Sequence, residues 1–193
     1  MKRWEDTSAS SLAVFNLLGQ VCCTYLAEQT TVWKETFGTG TGRWQNPNVK
    51  NHTFMPYPGK IDDGNYAVVS NSSDANQSLD WPGGKKDHTG DVNGGFLVIN
   101  VKNVKPPVLI YSQTITPADG FCKSTYYNLS LFASNITPAN LPSSFMFEVV
   151  DAATGNVLGR GETGDVNSFG MESWLNYGTS FAPENSTSVV INI

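Results

Sequence analysis

The stretch Lys86-Asp87-His88-Thr89-Gly90-Asp91-Val92-Asn93-Gly94-Gly95-Phe96-Leu97-Val98-Ile99-Asn100-Val101 decides the fold class. Its first half sets oxygen-bearing side chains between glycines, which is turn chemistry and also the raw material of a hard-cation site. Its second half is an apolar, partly β-branched run of strand length, which reads as a buried strand. A carboxylate-bearing turn that feeds a core strand predicts a β-sandwich with a loop suited to calcium.

Working outward, turn signals divide the rest of the chain into segments of strand length. Strands are expected at 30–37, 65–70, 96–102, 108–115, 127–134, 145–149, 157–161, 174–181 and 188–193. In the fifth, Tyr127, Leu129, Leu131 and Ala133 alternate with Asn128, Ser130, Phe132 and Ser134, the period of a strand with two unlike faces. Ala153-Thr154-Gly155-Asn156 reads as a tight hairpin. The expected fold is all-β, an antiparallel β-sandwich or jelly roll. Val189, Ile191 and Ile193 form a core-facing row with no closing turn after it. This is either a short natural end or a chain cut short at its C-terminal end with its last strand lost, and the second is favoured.

Composition agrees with that class. Charged residues make up only 15%, too few for the exposed faces of a helical protein of 193 residues. The formal net charge is −5, and no basic run interleaves with aromatics, which excludes nucleic acid as an expected partner.

Residues 1–28 carry the outline of a secretory signal peptide. Lys2 and Arg3 precede an apolar stretch from Leu12 to Leu18, and a cut is expected near Ala27. Glu5, Asp6, Asn16, Gln20 and Tyr25 fit that outline poorly, and a misassigned start or an amphipathic N-terminal helix are the alternatives. The apolar stretch is shorter than the roughly 20 residues of a membrane span. The body of the domain is placed at 29–193. Of three cysteines, Cys22 and Cys23 are adjacent and Cys122 stands alone in the body. Cys122 reads either as a buried free thiol or as half of a disulfide whose partner lies beyond the end of the chain.

The turn at Asp87, Asp91 and Asn93 has two readings: calcium ligands, or an Asx-rich turn whose side chains cap their own backbone. Thr163-Gly164-Asp165-Val166-Asn167 repeats residues 89–93, and since the flanks differ the repeat reads as shared turn chemistry. Trp33, Glu35 and Phe37 share one face of the first expected strand, so the Glu35 carboxylate needs a partner, either a cation or an arginine or lysine. Trp44, Tyr57, Trp81 and Trp174 are the rings available to stack on sugars, or else cover the edges of the sandwich. Enzyme signatures are missing: no Gly-x-Ser-x-Gly, no phosphate-binding glycine loop and no His-Glu-x-x-His occurs. Glu148 and Asp151 are three apart and point to opposite faces of a strand, so they do not converge as a catalytic pair.

Taken in order, several motifs resemble a known class. Asp87-His88-Thr89 with the glycine-rich turn and Gly95-Phe96-Leu97-Val98 is similar to a motif of MAM-type extracellular jelly-roll domains. The wider set resembles the jelly-roll modules of large secreted bacterial surface proteins, of the gliding-motility or type IX secretion class. It comprises Trp33-Lys34-Glu35-Thr36-Phe37-Gly38-Thr39-Gly40, Asp63-Gly64-Asn65-Tyr66, the Asp87 turn and Tyr111-Ser112-Gln113-Thr114-Ile115. It continues with residues 126–135, Phe147-Glu148-Val149-Val150-Asp151 and Trp174.

The resemblance implies a galactose-binding-like sandwich, related in shape to carbohydrate-binding modules and stabilised by Ca2+. It implies Glu35 and Asp87 as ligands from the first strand and the Asp-rich loop, with Asp91 and Asn93 beside them. The aspartate that a final strand supplies in such relatives has no counterpart here. The function expected is that of a non-catalytic, secreted or cell-surface module binding glycans or surface proteins. A purely structural spacer in a larger adhesin is the alternative, and an enzyme the least favoured.

Overall fold

The computed structural model describes residues 9–20, 29–75, 81, 83–101, 107–137, 142–166 and 173–193. Among them the regular structure is β except for one short 3-10 turn, Ser72–Asp74. The strands are β1 (Ala9–Gln20), β2 (Gln29–Glu35), β3 (Arg43–Trp44), β4 (Thr53–Phe54), β5 (Asn65–Val69) and β6 (Phe96–Val101). They continue as β7 (Ser112–Ile115), β8 (Tyr127–Asn135), β9 (Met146–Asp151), β10 (Val157–Glu162), β11 (Leu175–Phe181) and β12 (Val189–Asn192). One sheet runs β11-β8-β1-β6-β5-β3, with β2 added beside β1 and β4 beside β5; the other runs β10-β9-β12-β7. All pairs are antiparallel except β4 with β5. The fold is an all-β sandwich of antiparallel sheets packed on each other.

Each expected strand has a counterpart, though residues 108–110 stay irregular and β7 begins only at Ser112. One difference matters. Residues 9–20, read from the sequence as part of an export signal, form β1 in the middle of the larger sheet. In the smaller sheet β12 has β9 on one side and β7 on the other, and the Ile193 backbone hydrogen-bonds Tyr111.

The core follows from side-chain alternation. Tyr66, Val68, Leu97, Ile99, Leu129 and Leu131 of the first sheet meet Ile115, Phe147, Val149, Val189 and Ile191 of the second. Successive strand residues point to opposite faces, so Ala67, Val69, Phe96 and Val98 lie on the outer face of the first sheet. There Ile61, Ala75 and Ile136 bury them, with Met55, Trp81 and Trp174 packed alongside. β5 and β6 are thus buried on both faces, which is why β6 reads as an almost unbroken apolar run. The long loops form this second cover.

The glycines of the repeated pentapeptide have like conformations. Gly90 and Gly164 both take a positive φ, +84° and +60°, where a side chain is strained. The valines that follow part ways: Val92 is 79% exposed and Val166 is 1% exposed.

The β9–β10 hairpin is closed by Asp151. Its carboxylate accepts from the Ser186 hydroxyl, the backbone N–H groups of Ala153 and Thr154, and the Thr154 hydroxyl at 2.8 Å. These donors, the Ser186 hydroxyl foremost, hold the Asp151 carboxyl down at about 2. A carboxyl depressed in the folded state stabilises the fold above its unfolded value. That contribution is lost as pH falls from about 3.8 toward about 2. Asp151→Asn is therefore expected to flatten the acid limb of the melting temperature between pH 4 and pH 2; an unchanged limb would assign acid lability elsewhere. Glu148, by contrast, pairs with Arg160 of β10 through Nε at 2.7 Å, so the two carboxylates have separate structural partners.

Candidate functional site

The sandwich brings the turn after β2 against the Asp87 turn. Gly95 N–H donates to Gly38 O at 2.8 Å, Gly40 N–H donates to Asn93 O at 3.1 Å, and Thr39 bridges Gly94. Trp44 seals the junction: its indole N–H donates to Phe37 O at 2.8 Å. A Cβ at Gly95 would fall 2.6 Å from the Trp44 ring and 2.9 Å from the carbonyl oxygens of Phe37 and Gly38, so only glycine fits under the indole.

Within the Asp87 turn, Thr89 Oγ1 donates to Asp87 Oδ2 and accepts from Asp91 N–H at 3.3 Å. The Asx-type turn is therefore real. It does not account for the whole carboxylate. Asp87 Oδ1 is buried and has no hydrogen-bond partner among the described residues. Gly94 backs onto the other oxygen, Oδ2, which a Cβ there would strike. A buried carboxylate oxygen without a donor is costly, and a cation is one group that removes that cost. Asp91 and Asn93 are exposed on the same turn. Among the described residues no three His, Cys, Asp or Glu side chains gather as a metal cluster, so further ligands would be carbonyl oxygens and water.

Glu35 is used differently. Its Oε1 accepts from Phe37 N–H at 2.7 Å and its Oε2 from the buried Tyr111 hydroxyl at 2.9 Å. Tyr111 leads into β7, so this carboxylate ties the first sheet to the second. Asn48 Nδ2 donates to Gln113 Oε1 at 3.0 Å, and that oxygen lies against the same hydroxyl. Burial, and then the Glu35 charge, push the Tyr111 hydroxyl far above its ordinary pKa, keeping it a donor. The partners that the sequence reading considered were a cation or a basic side chain. Among the described residues they are a tyrosine and a backbone amide. Phe37, whose N–H donates to Glu35, takes a left-handed φ of +57°. Tyr111→Phe is expected to cost about 1.5–3 kcal/mol, the range for a hydrogen bond to a charged group, and to add little to Glu35→Ala in a double-mutant cycle.

The four rings separate by burial. Trp81 and Trp174 pack into the outer cover, and Trp174 Nε1 donates to Lys86 O at 3.1 Å. The buried Lys85 ammonium sits 4.6 Å from the Trp174 ring centroid, and burial lowers its pKa to about 8. His88 stacks on Phe132 at 3.7 Å between centroids and meets Trp174 edge-on. Burial lowers the His88 pKa against the pull of Asp87. Trp44 is half-buried against the main core. Tyr57 alone of the four is open, 67% exposed, with the Arg43 guanidinium 6.0 Å from its ring centroid.

Arg43 is a residue that the sequence reading passed over. Nε donates to Asp74 O at 2.5 Å, Nη2 to Ala75 O at 3.0 Å, and Nη1 to Met55 O at 3.2 Å, Pro56 O at 3.4 Å and Gly59 O. It fastens two loops to the sheet. Burial lowers its pKa, opposed by Asp74.

Of the two readings of Cys122 the disulfide holds and the free thiol does not: Cys122 is disulfide-bonded. The other two cysteines, Cys22 and Cys23, lie outside the described residues. No helix among the described residues is long and apolar enough to cross a membrane. No protein-family model, curated protein or solved structure matches the chain.

Proposed function

We propose that the chain is a non-catalytic, secreted or cell-surface module, a calcium-stabilised sandwich that binds glycans or surface proteins. The observation that carries the calcium part is the buried Oδ1 of Asp87, which has no hydrogen-bond partner among the described residues, in a glycine-rich turn. One ion there would bind through Asp87, with Asp91, Asn93 and turn carbonyls as the nearest further oxygens. Its role is to fasten the Asp87 turn to the turn after β2, while Glu35 remains with Tyr111. The disulfide at Cys122 supports an oxidising, extracellular compartment. Tyr57 supports the binding part: an open ring above an arginine that five carbonyls hold still is a firm surface for the C–H face of a sugar.

A second reading, a spacer without a ligand, is favoured by the inward commitment of Trp44, Trp81 and Trp174. The two separate on a glycan array: binding that vanishes in Tyr57→Ala, with unchanged melting, supports the module, and no binding by the folded wild type supports the spacer.

The metal is tested by chelation. Extracellular calcium sites have Kd of about 10⁻⁴–10⁻³ M, so about 10 mM calcium should stabilise the fold by about 1.4–2.7 kcal/mol. Chelation should then lower the melting temperature by about 3–10 °C. Equal melting with and without chelator would remove calcium from the account.

A further inference from the structure

The apolar N-terminal segment has two incompatible uses. As an export signal cut near Ala27 it would be absent from the mature protein; as β1 it is the middle of a sheet. We propose that residues 9–20 stay in the mature module as a permanent strand, and that export leaves them attached.

The topology carries this. Residues 11–18 pair with residues 128–135 of β8, residues 9–13 pair with residues 97–101 of β6, and residues 15–20 pair with residues 29–35 of β2. The larger sheet runs β11-β8-β1-β6-β5-β3, so excising β1 would split it between β8 and β6. Two interior strands would each lose a row of backbone partners, exposing edges that folded proteins keep paired. Among the described strands β2 pairs only with β1, so the strand that carries Glu35 to Tyr111 would lose its place. Leu17 is fully buried in the core between the sheets, paired across from Leu129, and its loss would leave a cavity in that core.

A second observation is independent of the strand. Cys122 is disulfide-bonded, and the only other cysteines in the chain, Cys22 and Cys23, both precede Ala27. A cut at Ala27 would remove every intrachain partner for Cys122. The signal-like look has a simple origin: a central strand of a sheet is often a short apolar run, and periodicity alone does not tell it from an apolar leader.

The test uses the full chain, exported to an oxidising compartment and purified folded. Intact mass and peptide mapping should find residues 9–20 present and, without reductant, the Cys122 peptide joined to the peptide holding Cys22 and Cys23. A cooperatively melting product that begins near residue 28 would overturn the proposal. Hydrogen exchange on the full chain gives a readout that does not depend on a variant. Amides of residues 11–18 should be protected to within about tenfold of those of β8, as for strands that open together. Free exchange of residues 11–18 beside a protected β8 would also overturn it. Leu17→Asp should abolish the cooperative melt, and a variant that melts like wild type would count against a core position for Leu17.

Discussion

Arg43→Ala is expected to lower folding stability by about 1.5–3 kcal/mol, the range for losing hydrogen bonds to a charged group that is only half-buried. Five carbonyl oxygens, from residues 55, 56, 59, 74 and 75, face this guanidinium. Once it is gone these half-buried carbonyls lose a shared donor and turn to water, which ends the fastening of one loop to the other. The loops that carry Ile61 and Ala75 onto the outer face of the sheet would loosen together. Arg43→Lys should recover little, because an ammonium cannot span acceptors set around a planar fork. The check is the urea midpoint at constant slope; a loss below about 1 kcal/mol would show that the loops hold without it.

Trp174→Ala is expected to cost about 3 kcal/mol, at the low end for removal of a core tryptophan because the ring is only partly buried. The ring covers Phe96 edge-on at 5.9 Å, supports the Lys85 ammonium and anchors Lys86 O through its indole N–H. Tyr57→Ala, at an open ring, should stay within about 0.5 kcal/mol of wild type. The contrast separates cover from binding surface. If Trp174→Ala melted like wild type while ligand binding disappeared, the ring would be a contact residue and the cover account would fail.

How much of this was readable beforehand depends on how local each signal is. β6, β8 and the β9–β10 hairpin announce themselves through apolar runs, strict alternation and turn residues within a few positions. β3 and β4 are two residues long and have no period to detect. β1 does have an apolar run, but the same run fits a signal peptide, and only its partners on β6, β8 and β2 distinguish the two.

The candidate site divides in the same way. Asp87 stands out because its turn chemistry is written in adjacent residues. The need of Glu35 for a partner was legible from Trp33 and Phe37 on its face; the partner itself, 76 residues away, was not. Arg43 gave no signal, since its acceptors are backbone carbonyls whose position depends on the folded loops.

The central functional claim is that the Asp87 turn holds a calcium ion, and calcium titration calorimetry on the wild type and Asp87→Asn tests it most directly. The account predicts one ion per wild-type chain with Kd of about 10⁻⁴–10⁻³ M, and no measurable binding by a folded Asp87→Asn. No heat of binding by folded wild type up to about 10 mM calcium, ten times the weakest affinity expected, would contradict it.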